Sequence, residues 1–281
     1  MAISTDTVSL SYGMEKATTT NKRHPLGTRG VLPDGRIFRY AENSATALEA
    51  GRLVQSGATF QGGDFDMDLA IESTYPDTDF NALGDLDLTI VTSDLTLGTV
   101  LPADFYADGW MYINDGPGEG HIYRISSHTS QDSDASTALR VHLAGDDALV
   151  STALTTASLV GLIASKYYQP VPTDLDTTLT VPVGVTPAAI AASVFFWVQT
   201  WGLCSVWITT DSAGAVPVVG RTVVPQITTS DEAGSVTGVT TLQTSDNTVG
   251  IPELNLPVIG VAAVIAAVDS DYGLVDLRIS P

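Results

Sequence analysis

Four histidines (His24, His121, His128 and His142) and thirty-two carboxylates are the groups in this chain that could shuttle protons or hold a metal. His121 and His128 bracket an apolar stretch that also contains Tyr123 and Arg124. Seven positions apart, they point to opposite faces of a regular strand. Neither a nearby cysteine nor an H-x-H spacing accompanies them, as zinc would require. A hydrogen bond from His121 to Asp115 or Glu119 across a hairpin accounts for that histidine more simply than acid–base catalysis. Asp64-Phe65-Asp66-Met67-Asp68 sets three acids on one side of an extended segment. Like charges so close together are either fully solvated or held by a divalent cation. Calcium takes roughly 6–8 oxygen ligands, usually in a patterned loop with a central glycine and a terminal glutamate. That pattern is missing, so a solvated acidic loop is the expectation, with structural calcium at Asp64, Asp66 and Asp68 the alternative and no other cofactor implied.

Gly116-Pro117-Gly118-Glu119-Gly120 has the glycines of a phosphate cradle but not its chemistry. Pro117 has no amide to donate, Glu119 puts an anion where phosphate would lie, and no P-loop lysine follows. The segment reads as a hairpin loop. The phosphate-loop, nucleophile-elbow, H-E-x-x-H and C-x-x-C signatures do not occur, so no enzymatic activity is expected. The single cysteine, Cys204, excludes an internal disulfide and lies in the run Trp201-Gly202-Leu203-Cys204-Ser205-Val206-Trp207, where a buried, inert thiol is expected. On an ideal strand Phe195, Trp197 and Trp201 share one face, and Phe196 and Val198 the other. A strand apolar on both sides must be covered twice. The rival is a carbohydrate platform built on Trp197 and Trp201.

The elements that must position these residues are mainly β. Asp85-Leu86-Asp87-Leu88-Thr89-Ile90 alternates between acid and apolar residues, the period of a half-buried strand. Further strands are expected at 36–40, 95–97, 139–143 and 158–163. Segments 110–114 and 121–126 flank the glycine-rich loop as a hairpin. Beyond a proline-bearing seam at 166–173, strands are expected at 178–183, 193–199, 205–209, 221–224, 236–240, 259–267 and 273–279. Ser44 to Ala50 is the best helix candidate, with Ser44 as its cap and Gly51 as its end. The predicted organisation is an extended N-terminal arm with one short helix (1–59), followed by two barrel- or sandwich-like β domains (60–165 and 166–281).

With 281 residues and 44% hydrophobic content, the chain can build real cores. Its net charge of −20 repels phosphates and anionic membranes, so neither nucleic acid nor membrane is an expected partner. Met1-Ala2-Ile3-Ser4-Thr5 lacks the pattern of a secretory signal, which implies synthesis in the cytoplasm. The charge is uneven. Residues 1–52 hold seven basic residues (Lys16, Lys22, Arg23, Arg29, Arg36, Arg39, Arg52) and five acidic ones, against five basic and twenty-seven acidic in the remainder. A polar, Thr-rich, unpatterned leading segment with this balance predicts an arm that lies against an acidic neighbour. Its expected docking residues are Arg29, Arg36, Arg39 and Arg52, with Phe38 and Tyr40 as anchors and Trp197 and Trp201 as further interface candidates.

Several blocks carry a family likeness. Gly30-Val31-Leu32-Pro33-Asp34-Gly35-Arg36-Ile37-Phe38-Arg39-Tyr40-Ala41, Ala50–Gln55, Asp108-Gly109-Trp110, Asn114–Ile125, Val198-Gln199-Thr200-Trp201-Gly202 and the closing stretch from Ile259 to Leu277 resemble structural proteins of tailed bacteriophages of the marine or cyanophage type. The resemblance implies a virion component on the outer capsid surface. The favoured subgroup is head decoration or cement proteins, homotrimers whose partners are the major capsid protein and copies of themselves. A long leading segment and two β blocks depart from small decoration proteins. They leave open a head fibre or a tail-associated adhesin that binds host carbohydrate, with a polysaccharide hydrolase as a remote alternative.

Overall fold

A computed structural model describes residues 7–57, 69–70, 84, 86–91, 101–130, 138–145, 153–173, 181–210, 217–226, 233–238, 256–265 and 270–281. The chain is mainly β. In order the strands are β1 (Thr7–Ser9), β2 (Arg29–Val31), β3 (Ile37–Glu42), β4 (Leu53–Gln55), β5 (Leu69–Ala70), β6 (Asp87–Val91), β7 (Trp110–Asp115), β8 (Ile122–His128) and β9 (Ala138–Leu143). They continue with β10 (Leu159–Ile163), β11 (Val171–Pro172), β12 (Pro182–Val185), β13 (Phe195–Ile208), β14 (Thr222–Pro225), β15 (Val236–Gly238), β16 (Gly260–Val264) and β17 (Asp271–Arg278). The helical content among the described residues is one 3-10 turn, Met14–Lys16. The strand expected at 95–97 and the first half of the one expected at 178–183 lie outside the described residues, as do Asp64, Asp66 and Asp68.

The chain folds as two compact units, one made of Met1–Gly57 with Lys166–Pro281 and the other of Ala58–Ser165. This corrects the expectation of a separate arm over 1–59. β1 runs parallel to β2, β2 antiparallel to β3, and β3 antiparallel to the first half of β13, from Phe195↔Glu42 to Trp201↔Ile37. The leading strands are three residues each, too short to display a period, and so escape pattern reading. Their few apolar neighbours decide the matter: Leu10, Leu26 and Leu32 are buried in one core with Phe38, Tyr40 and Trp197. The order expected from an external neighbour is supplied by the chain itself.

The helix expected at 44–50 does not form. The Asn43 side-chain amide donates to the carbonyls of Thr46 (2.9 Å) and Ala191 (2.7 Å). Leu48 and Ile190 exchange backbone hydrogen bonds of 2.9 and 2.8 Å. Helix nucleation fixes several residues for a single bond, and in so short a segment the pairing with residue 190 satisfies the backbone instead.

In the first unit β13 is the organising element, a single strand of 14 residues where two were expected. Its second half pairs with β17 over Trp201↔Arg278 to Ile208↔Asp271, and its end with β15 at Ile208↔Val236. β15 pairs with β14, β14 with β16 and β16 with β17, so five strands close into a barrel. Cys204, Val206, Ile208, Val223, Val236, Val275 and Leu277 fill it. The two halves of β13 are joined by a bulge between Gln199 and Trp201. The buried Gln199 amide donates to the carbonyls of Trp201 (3.2 Å) and Leu203 (2.9 Å), and Gly202 takes the left-handed conformation (φ 83°) that the bend requires.

The second unit is a six-stranded sheet in the order β5-β10-β7-β8-β9-β6. β7 and β8 form the expected hairpin across the glycine-rich loop, with Trp110↔Arg124 and Tyr112↔Ile122 in register. Inward residues of the strands, among them Leu88, Ile90, Met111, Ile113, Ile125, Leu139 and Val141, make its core.

Candidate functional site

Among the described residues, His121, His128 and His142 make hydrogen bonds within the fold. His128, at the end of β8, is buried; its Nδ1–H donates to the Thr129 carbonyl (2.7 Å), and its Nε2 accepts from the Tyr106 amide (2.9 Å). This pair of bonds fixes one neutral tautomer. Burial lowers its pKa, against the opposing Thr129 hydrogen bond and the Asp104 charge. His121 Nδ1 lies 3.0 Å from the Tyr123 hydroxyl, while Asp115 accepts from the Gly116 amide at 2.7 Å. His142 pairs with Asp87 at 2.8 Å on a half-exposed stretch of β9 and β6. No cluster of three or more metal-ligating side chains exists among the described residues. Cys204 is buried in the barrel, where burial pushes its thiol up to about 12, with the Arg36 charge opposing only in part.

The residues expected to dock through an arm are mostly occupied within the chain. Phe38, Tyr40 and Trp197 are core residues, which corrects their assignment as interface anchors. The reason is tertiary: β3 is paired along both edges, by β2 and β13, and Phe38 and Tyr40 pack into a core with Leu10, Leu26, Leu32 and Trp197. Tyr40 packs edge-on against Trp197 (5.0 Å) and stacks on Phe195 (5.8 Å), and Trp197 therefore offers no sugar platform. Arg39 donates to the carbonyls of Gly27 (3.1 Å) and Pro281 (2.7 Å). Arg36 bridges to Asp34 at 2.8 Å and lies over the Phe38 ring. Arg52 holds Glu49 through Nε at 2.9 Å. Arg29 is partly exposed on β2. The arginines thus do not form one basic docking face.

An exposed apolar surface lies elsewhere, on the outside of the barrel. The bulge at Thr200 places Gln199 and Trp201, two positions apart on β13, opposite the successive β3 residues Phe38 and Ile37, and so reverses which side the odd-numbered residues take. Before it, Trp197 is buried. After it, Leu203 is 54% exposed and Trp207 partly so. In register beside them on β17 stand Tyr272 (45% exposed, opposite Trp207) and Leu274 (37%, opposite Ser205); beside Leu274 on β16 stands Val264 (51%). Trp207 meets Tyr272 edge-on at 5.0 Å, and the Arg52 guanidinium covers Trp207 at 4.7 Å. The Tyr272 hydroxyl donates to the Ala50 carbonyl (3.1 Å), anchoring this aromatic corner. The charges in β17 at the other end of the surface, Asp276 and Arg278, bridge each other at 3.2 Å. Among the described residues the result is an apolar patch flanked by the Asp276–Arg278 and Arg52–Glu49 pairs and by Asp271, which accepts from the Tyr272 amide at 2.7 Å.

No protein-family model, no curated protein and no solved structure matches this chain. Among the described residues, no helix is long and apolar enough to cross a membrane. Of the residues at the patch, sequence reasoning singled out Arg52 as an interface residue but missed Leu203, Tyr272, Leu274 and Val264; Trp201 stands at the bulge, partly exposed, opposite Arg278 and Ile37. A signal was present in Asp271-Tyr272-Gly273-Leu274-Val275-Asp276, where large apolar residues occupy both faces of a strand.

Proposed function

We propose that this chain is a virion structural protein, a capsid decoration or cement component that acts by docking and not by catalysis. The observation that carries this reading is the exposed apolar patch on the outside of the barrel. Strand alternation in a free-standing barrel puts polar side chains outward. Here Leu203, Tyr272, Leu274 and Val264 stand in water instead. Contiguous exposed apolar surface marks a contact site, and burying it contributes about 25 cal/mol per Å² of apolar area. A strongly acidic remainder keeps unspecific surfaces away, so firm contact concentrates where no charge must be desolvated.

The block resemblance to phage structural proteins supports placing that contact on a virion. The docking surface is then the barrel patch, not a leading arm. A decoration protein gains from many copies of one modest contact repeated over a closed shell. Immunogold labelling and mass spectrometry of purified phage particles encoding the chain test the role. Label on the heads is the expected result. Label confined to tails, or absence of the chain from particles, overturns it.

A further inference from the structure

We propose that Arg29, Arg39 and Lys166 form a binding site for a tetrahedral oxyanion, either free phosphate or the phosphoryl group of a small molecule. The site lies within the first unit, uses none of the barrel-patch residues and stands independently of the virion role. Register brings two of the cations together. Arg29 of β2 is paired with Arg39 of β3, so their side chains leave the same face of the sheet, from Cα atoms about 4.5–5.5 Å apart. The other face, at Gly30 and Phe38, is the core side, packed on Leu10 and Trp197. Lys166 joins the pair through Tyr167. Its ammonium lies 5.1 Å from the centre of the Tyr167 ring, and that ring packs on Gly27, whose carbonyl accepts from Arg39 Nη1 at 3.1 Å. Tyr167 and Arg39 also share the Ser280 hydroxyl, 3.3 Å from Arg39 Nη2.

Like charges gathered this closely repel unless an anion lies among them. Arg39 donates to oxygens of Gly27, Ser280 and Pro281, while its Nε is buried without an acceptor. Among the described residues the side chains of Arg29 and Lys166 have no acceptor, and no carboxylate side chain pairs with any of the three cations. Even with a terminal carboxylate counted at Pro281, two of the three positive charges stay unbalanced. Burial and the Arg39 charge both lower the Lys166 pKa, the response of an ammonium that lacks a counter-ion. The chain has thirty-two carboxylates for twelve cations, yet this cluster draws none of those described.

Charge and shape select the occupant. Cations converging from β2, β3 and the segment at 166 call for acceptor oxygens in three directions. A carboxylate offers two oxygens in one plane and a single charge. A phosphoryl group offers three or more around a tetrahedral centre, with about 1.5–2 negative charges at neutral pH. Arginine supplies forked donors to such oxygens and lysine a point charge. All three side chains are half-buried, open to a small ion yet less screened than on a free surface. The −20 of the chain opposes anions mainly at long range, and at physiological salt its reach falls to about 8 Å.

Isothermal titration calorimetry of the full chain with inorganic phosphate, at a fixed ionic strength of about 0.15 M, is the test. One saturable site is expected, with a dissociation constant of about 1 mM or tighter. Lys166→Gln and Arg29→Gln each weaken it at least about tenfold, whereas Lys166→Arg retains binding. Lys16→Gln, at an exposed cation of the 3-10 turn, leaves it unchanged. Arg39 also ties Gly27 to the last residues and is left intact; if Lys166→Gln disturbs the melt, Arg29→Gln reads the site independently. Glucose 6-phosphate as a second ligand separates the sources: tighter binding than inorganic phosphate assigns a phosphoryl-bearing molecule, and weaker binding assigns the free ion. Absence of saturable binding by both ligands up to about 20 mM overturns the proposal. So does acetate binding as tightly as phosphate, or undiminished binding by the folded Gln variants.

Discussion

Phe38→Ala distinguishes a leading segment that docks on a neighbour from one woven into its own fold. Phe38 is fully buried, lies opposite Gly30 in β2 and Gln199 in β13, and belongs to the core that holds Leu10, Leu32, Tyr40 and Trp197. A phenylalanine truncated in such a place loses its transfer free energy and leaves a cavity, together about 3–5 kcal/mol. β3 is paired on both sides, so little collapse can relieve the void, which puts the loss toward the upper end of that range. In a unit of this size each kcal/mol moves the midpoint by about 2–4 °C, giving a fall of roughly 6–20 °C. Tryptophan fluorescence suits the measurement, because Trp197, Trp201 and Trp207 all lie in the affected unit and Trp110 alone in the other. Leu203→Ala, at an exposed site of the same unit, is the control and changes stability by less than about 0.5 kcal/mol at low protein concentration. A Phe38→Ala midpoint within 2 °C of wild type refutes the reasoning, since a docking anchor on a detached arm behaves that way.

Gly51→Ala should destabilise the first unit by about 1–3 kcal/mol in urea denaturation. Gly51 has φ 67°, and an added Cβ would stand 2.5 Å from the Tyr272 ring. His128 gives the second unit an acid-sensitive step. The unfolded chain takes up a proton near its ordinary 6.5 while the buried ring resists until its lowered pKa is reached, so stability falls as pH drops from 6.5 toward that value. His128→Gln retains an acceptor for the Tyr106 amide and should remove this part of the slope, as urea midpoints at several pH values between neutral and about 5 would reveal. Cys204 should react with Ellman's reagent only after denaturant is added, because burial both blocks access and keeps the thiol protonated. Rapid labelling of the native chain would place Cys204 outside the barrel.

Much of the β character was legible because it is local. Alternation in Leu86–Ile90 and the glycine-rich spacer between Trp110–Asn114 and His121–Ser126 are statements about neighbours along the chain, and strands β6, β7 and β8 follow them closely. The inertness of Cys204 was equally readable from its apolar surroundings. The role of the leading segment was not. β1 and β2 are three residues each, and their pairing partners, β2 with β1 and β3 with β2, lie six to twenty positions or more away with no periodic signal between. Composition alone therefore describes an arm where contacts make a sheet.

The patch marks the same divide most sharply. The amino-acid order determined that Phe195 to Ile208 would be apolar on both sides and would need cover. Only the tertiary structure decided which residues received it. One extra residue between Gln199 and Trp201, held by the Gln199 amide, turns the strand over, so that Trp197 enters a core and Leu203 faces out. A bulge exists only relative to the register of a partner strand, and that register depends on β3 and β17, distant segments whose arrival no local pattern announces.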